Sequence, residues 1–150
     1  DNPTYLNNIF SSLNNISTDT HIILPLHPRT KKMVEKFNIS LEGIDIIDPV
    51  SYKTMISLLS QACLVITDSG GLQKESYFAK VPCITIRDET EWIETLENGW
   101  NRLVSPNDCN TIKNTIERLL QLDFTDKTYL ESYGNGNAAS KIIDALVNLS

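Results

Sequence analysis

Short apolar runs alternate with helix-spaced stretches along almost the whole chain, and this rhythm constrains the fold more than any other feature. "HIILPL" (21–26) leads into "TKKMVEKF" (30–37), where Met33, Val34 and Phe37 fall at helical spacing. "GIDIID" (43–48) stops at Asp48-Pro49 and gives way to "SYKTMISLLSQA" (51–62), with Tyr52, Met55, Ile56 and Leu59 at helical intervals. "CLVIT" (63–67) is a continuous apolar run, as expected of a strand buried on both faces. "GLQKESYFAK" (71–80) reads as a helix, and "PCITI" (82–86) as a strand with Pro82 at its start, where proline is tolerated. "ETEWIETLENG" (89–99) reads as a helix stopped by Gly99, and "WNRLV" (100–104) as the last strand. Helices follow over "NDCNTIKNTIERLLQL" (107–122), capped by Asn107 or Asp108, and over "NAASKIIDALVNL" (137–149). "DNPTYLNNIF" opens like a helix entered from something upstream, and the chain starts at Asp1 without a Met, so an excised domain is expected.

Strands that alternate with helices imply βαβ units, right-handed crossovers and a parallel sheet with helices on both faces. In such α/β folds ligands sit beyond the carboxyl ends of the strands. The residues to inspect are therefore His27-Pro28-Arg29, Asp48-Pro49, Asp68-Ser69-Gly70-Gly71 and Arg87-Asp88-Glu89.

The 150 residues fit one domain, long enough to bury roughly two-thirds of its unfolded surface without a disulfide or metal staple. A net charge of -6 argues against a broad nucleic-acid surface, though not against a local phosphate pocket. Cys63, Cys83 and Cys109 are widely spaced, with no CxxC, and are expected to be buried, reduced thiols of a cytosolic protein. No stretch approaches the ~18 apolar residues of a membrane span, and no signal peptide is visible.

The corner at 68–71 admits two readings. The first free N–H groups of a helix carry partial positive charge and hold phosphates readily. Gly70 and Gly71 would let a diphosphate approach the backbone, and Ser69 can cap the helix or donate to a phosphate oxygen. Glu75, four residues after Gly71, shares its helix face and could accept ribose hydroxyls. Alternatively, Asp-Ser-Gly-Gly is only a tight strand-to-helix turn. It is neither a GxGxxG fingerprint nor a Walker loop, so spacing alone does not choose between the two.

The longer string "TDSGGLQKESYFAKVPCITIRDETEWIETLENGWNRLV" resembles the non-hydrolysing UDP-N-acetylglucosamine 2-epimerases of bacteria and archaea. The resemblance extends through "LPLHPR", "IDPVSYKTMISLLSQACLVITD" and "YGNGNAASKIIDAL", nearly the whole chain. It implies a Rossmann-like domain, one half of the two-domain B-type glycosyltransferase architecture. Residues 1–150 would be the C-terminal, UDP-binding domain, and the N-terminal domain would be absent. It assigns Ser69, Gly70 and Gly71 to the UDP phosphates, Glu75 to the ribose, and His27 to a place near the diphosphate, where it aids departure of UDP. Met55 stands where the family often has an aromatic residue near the uracil. Trp92 stands where an active-site arginine often follows the "RD-x-T-E" block, and tryptophan cannot neutralise phosphate. "RDETEW" is similar to the branch acting on UDP-2,3-diacetamido-2,3-dideoxyglucuronate. Trp92 could equally be a core residue. Lys74 has no matched role and is expected to face solvent. Asp88, Glu89 and Glu91 are expected to be helix-start residues, with Asp88 or Thr90 as cap, rather than a metal or acid–base cluster.

The resemblance implies elimination of UDP and its re-addition after inversion at sugar C2, with no metal or cofactor. The acid and base carboxylates would lie in the absent domain, so this chain alone is expected to bind UDP weakly and to turn nothing over. The whole enzyme would interconvert UDP-GlcNAc and UDP-ManNAc for cell-envelope polysaccharide, as a cytoplasmic homodimer binding neither nucleic acid nor membrane. A B-type glycosyltransferase domain and a non-catalytic nucleotide-binding module are the alternatives.

Overall fold

The structure, a computed structural model, describes residues 2–130 and 132–148. Its elements follow the expected alternation: α1 (Pro3–Ile16), β1 (Ile22–Pro25), α2 (Pro28–Lys36), β2 (Ile44–Ile47), α3 (Tyr52–Leu59), β3 (Val65–Thr67), α4 (Gly70–Phe78), β4 (Cys83–Thr85), a 3-10 helix (Ile93–Gly99), β5 (Asn101–Leu103), α5 (Cys109–Leu120) and α6 (Ala138–Val147). Every strand pairing is parallel. β1 pairs with β2, and β3-β4-β5 form a second hydrogen-bonded set with β4 in the middle.

Local chemistry sets the helix starts. Asn2 accepts from the Thr4 and Tyr5 N–H groups and Pro3 follows at the first helical position, a residue whose missing N–H costs nothing there. Asp108 caps α5 by accepting from the Asn110 and Thr111 N–H groups, which holds its carboxyl below the usual range, the Thr111 hydroxyl being the largest cause. α5 is strongly amphipathic: Ile112, Ile116 and Leu119 recur at three- and four-residue spacing and are buried. They join Phe10, Leu13 and Ile16 of α1 in one apolar core with Leu26, Ile44, Ile84, Ile86 and Val104. Successive strand residues point to opposite faces. Ile84 therefore enters that core, while Cys83 and Thr85 face the other way, toward α4. All three β4 residues are buried, so the sheet is covered on both sides there.

Several expectations shift. The fully buried strand is the central β4, whereas β3 is half-buried because it pairs only with β4. Cys63 precedes β3 and is exposed; Cys83 is buried and Cys109 half-buried. The helix expected over 89–99 is a loop followed by a 3-10 helix from Ile93, with no side-chain cap. Neither Asp88 nor Thr90 is its N-cap, which is Trp92; Thr90 is tied to α4 instead. α6 spans Ala138–Val147 and is exposed throughout, Ile142, Ile143, Leu146 and Val147 included. Leu149 lies outside the described residues.

Candidate functional site: two strand-to-helix corners and a pinned loop

The corner after β3 is built by Ser69. Its N–H donates to Thr67 Oγ1 at 3.0 Å, and its Oγ accepts from the Leu72 N–H at 3.4 Å. Ser69 is thus the N-cap of α4, with Gly70 and Gly71 as the first two helical residues. Their N–H groups have no intrahelical acceptor. Glu75 is half-buried one turn beyond Gly71. No acidic residue occupies the first turn of α4.

The two glycines differ. A Cβ on Gly71 would meet only Ser69 Oγ at 3.8 Å, so that position opens outward. A Cβ on Gly70 would lie 2.7 Å from Glu91 Oε1 and 3.1 Å from Trp92 Nε1. Gly70 is where the 87–92 loop packs against the helix, a structural demand the sequence does not announce. Neither glycine has a positive φ; close approach of the loop explains Gly70, and nothing packed in the structure requires a glycine at Gly71.

The loop itself is pinned from below. Thr90 Oγ1 donates to Gln73 Oε1 at 2.7 Å and accepts from the Trp92 N–H at 3.1 Å. Asn101 Nδ2 donates to Thr95 Oγ1 at 2.9 Å and, more weakly, to Gln73 Oε1 at 3.4 Å; Thr85 Oγ1 donates to Asn101 Oδ1 at 2.9 Å. Thr95 Oγ1 in turn donates to the Trp92 carbonyl at 2.7 Å. Gln73, Thr85, Thr95 and Asn101 are all buried, so these bonds are made away from water, where losing one leaves a costly orphan. The Cys83 thiol lies on the same side of the sheet, and burial pushes it up to about 12.

Above the network, Arg87 donates to Glu91 at 3.1 Å. The Glu91 carboxyl is held below its usual range, first by its own backbone N–H and then by the Arg87 charge. Lys74 does not simply face solvent: it is half-buried, with its Nζ 3.7 Å from the centroid of the Trp92 ring. Trp92 is also half-buried and meets Tyr133 edge-on.

The corner after β1 is different. His27 is the N-cap of α2, its Nδ1 accepting from the Arg29 N–H at 3.2 Å, with Pro28 next. That bond uses the Nδ1 lone pair, which leaves Nε2 as the N–H donor of the neutral ring. The ring is exposed. Met55 is half-buried on α3. The candidate residues thus lie on three helices: Ser69, Gly70, Gly71 and Glu75 together on α4, His27 opening α2, and Met55 on α3. Among the described residues no group of three or more His, Cys, Asp or Glu side chains could hold a metal ion.

The sequence model of the UDP-N-acetylglucosamine 2-epimerase family matches residues 1–147. The chain belongs to that family. A UDP-N-acetylglucosamine 2-epimerase homolog of Methanococcus maripaludis is 40% identical over 149 residues, covering 96% of this chain and 40% of that protein. The UDP-2,3-diacetamido-2,3-dideoxy-D-glucuronate 2-epimerase of Pseudomonas aeruginosa is 41% identical over 150 residues, covering 99% of this chain and 41% of that protein. Among solved structures, the Methanocaldococcus jannaschii UDP-GlcNAc 2-epimerase in complex with UDP-GlcNAc and UDP superimposes with a TM-score of 0.84 at 37% identity, covering 99% of this chain and 42% of that one. The chain thus spans about two-fifths of the length of these relatives.

Membership of the epimerase family gives the corners a context, but two of their supports were invisible in the sequence. Gln73 and Asn101 are 28 positions apart, and no local pattern pairs them. Lys74 reads as a surface lysine because its partner Trp92 arrives from the next βα connection. The one available hint was that Gln73 falls in α4 where an amphipathic helix would place an apolar residue.

Proposed function

We propose that this chain is the UDP-binding domain of a non-hydrolysing UDP-sugar 2-epimerase, an isomerase whose substrate is UDP-N-acetylglucosamine. The observation that carries this reading is the open N-terminal turn of α4: Ser69 as cap, bare N–H groups at Gly70 and Gly71, and Glu75 one turn on. A diphosphate placed there receives the Gly70 and Gly71 N–H groups, the Ser69 hydroxyl and the positive end of the helix dipole. Ser69 is free to do this at little cost, since its capping bond is long at 3.4 Å. Glu75 accepts the ribose hydroxyls, and Met55 packs against the uracil.

The chemistry follows from where charge develops. A base removes the proton at sugar C2, the C1–O bond breaks, and its electron pair leaves with UDP. The resulting glycal is reprotonated at C2 from the opposite face, and UDP re-adds at C1. The C2 proton is weakly acidic, so the reaction is only as fast as the departing diphosphate is well held. Helix N–H groups, Ser69 and the outward Nε2–H of His27 do that holding. The carboxylates that move the C2 proton belong to the N-terminal domain of the same protein, and the working enzyme is a cytoplasmic homodimer. The isolated 150-residue chain binds UDP weakly and does not turn over.

A second reading is favoured by one feature. Trp92 follows the "RDETE" block, and the 41%-identical Pseudomonas aeruginosa protein is a diacetamido-glucuronate epimerase. The test is to incubate the full-length enzyme with UDP-GlcNAc and, separately, with UDP-2,3-diacetamido-2,3-dideoxyglucuronate, each without acceptor, and to follow the products by NMR. Formation of UDP-ManNAc supports the main reading. Inversion of only the diacetamido-glucuronate substrate moves the enzyme to the second. Neither product, with sugar transferred once an acceptor is added, makes the protein a glycosyltransferase. UDP affinity unchanged by both Ser69→Ala and Glu75→Ala removes the nucleotide site altogether.

A further inference from the structure

We propose that Lys74, held against the face of Trp92, is the cation that binds the diphosphate at the N-terminal turn of α4; this rests on the nucleotide reading above. Four observations carry it. First, Lys74 is tethered. Its Nζ sits 3.7 Å from the Trp92 ring centroid, and Trp92 Nε1 would lie 3.1 Å from a Cβ on Gly70. One indole therefore bridges the lysine and the first residue of the helix. Lys74 follows Gly70 by four positions, on the same helix face. Helical side chains lean toward the N-terminus, so its ammonium extends toward the bare turn and not away from it.

Second, the tether is itself supported. Trp92 is fixed by its N–H on Thr90, by its carbonyl under Thr95, and through Thr90 by the buried Gln73. A lysine loses substantial rotamer freedom when held, so a solvated role gains nothing from such a clamp.

Third, Lys74 makes no ion pair of its own. Arg87 is committed to Glu91, whereas no carboxylate lies within 4.0 Å of Lys74 among the described residues. The nearby acids in sequence, Asp68 and Glu75, make no ion pair with it.

Fourth, a cation near a helix N-terminus is electrostatically misplaced, since that end already carries about half a positive charge. The first turn of α4 has no acidic residue of its own, and the one carboxylate packed against Gly70, Glu91, is already paired with Arg87. The arrangement is unfavourable for an empty helix and favourable for one that receives a dianion. Trp92 is the positioning residue: it cannot pair with phosphate, but its electron-rich face holds an ammonium in place without neutralising it.

The test is calorimetric titration of the full-length protein with uridine, UMP, UDP and UDP-glucuronate, comparing wild type with Lys74→Met, Lys74→Arg, Trp92→Leu, Trp92→Phe, Ser69→Ala and Glu75→Gln. Folding of each variant is checked by far-UV circular dichroism. Lys74→Met is expected to weaken UDP about tenfold, to leave uridine unchanged and to flatten the salt dependence of UDP binding. Lys74→Arg is expected to restore UDP binding. Trp92→Leu should weaken UDP in the same sense by a smaller factor, with rescue by Trp92→Phe. If Lys74→Met binds UDP like wild type while Ser69→Ala and Glu75→Gln lose it, Lys74 has no such role and the nucleotide reading stands. If Ser69→Ala and Glu75→Gln also bind like wild type, the nucleotide reading fails and takes Lys74 with it. An equal loss for uridine and UDP overturns the electrostatic role. A loss confined to UDP-glucuronate overturns it too, since the lysine would then read the sugar acid.

Discussion

The two strand-to-helix corners solve one geometric problem with opposite chemistry. After β1 the helix is closed at its mouth: Pro28 has no N–H, and the Arg29 N–H is taken by His27 Nδ1. What that corner presents is a side chain, the outward imidazole edge. After β3 the helix is left open, with two glycines, a loosely bonded serine and no acidic residue in the first turn. What that corner presents is backbone. One end therefore presents a single directed hydrogen-bonding edge. The other offers a fixed positive field to an anion. On the function proposed above, the first corner would assist a leaving group and the second would hold it.

The comparison is broken most sharply at His27. Asparagine is as good an N-cap as any residue but has no imidazole edge. His27→Asn is expected to keep Tm while turnover of the full-length enzyme falls about 100-fold, or ~2.7 kcal/mol in the barrier. Unchanged turnover would make the first corner purely structural. Next comes the support beneath the second corner. Gln73→Leu removes the acceptor shared by the half-buried Thr90 and the buried Asn101. Chemical denaturation should show a loss of about 2 kcal/mol, with the α2 corner unaffected.

Gly71→Ala sharpens the contrast differently. Its Cβ meets nothing closer than 3.8 Å, so stability should rise by about 0.5–1 kcal/mol while UDP affinity drops roughly tenfold. A variant that is more stable and binds as before would show that no ligand approaches Gly71. The last effect lies under β4 and is visible only in alkali. The folded protein keeps the Cys83 proton up to about 12, whereas the unfolded chain releases it near ~8.5. The folded state thus binds more protons, and stability falls as pH rises through that window, by about 1.4 kcal/mol per unit at most. Cys83→Ala should flatten the slope between pH ~9 and ~11 in urea titrations. An unchanged slope would place the alkaline sensitivity on Tyr133, whose hydroxyl is also pushed up to about 12 by burial and then by Glu94.

The alternation of strands and helices was legible because each run is short, β-branched and punctuated by Gly, Pro, Ser or Asp. The corner after β3 was legible for the same reason, Ser69 standing where a cap must stand, whereas the capping role of His27 was not read. The 89–99 segment was not. Its pattern is helical, but Thr90 bonds to Gln73 and Thr95 to Asn101 and Trp92, so tertiary hydrogen bonds override local preference. Cys63 was misplaced because an apolar run says nothing about where the pairing begins; β3 starts only at Val65. The division of labour between Gly70 and Gly71 needed the loop's coordinates, since both are glycines in one turn.

β4 has a consequence for how this protein can drift. Its Ile84 side lies among aliphatic neighbours, where exchange for Val or Leu costs about 1 kcal/mol and a compensating change nearby can restore the fit. Its Thr85 side ends in Asn101, Thr95 and Gln73, which are hydrogen-bonded to one another, so that a single replacement strands its partners. Lineages can wander step by step on one side of the strand. On the other they must change several residues together or none, so that the floor under the α4 corner should age more slowly than the core a few ångströms behind it.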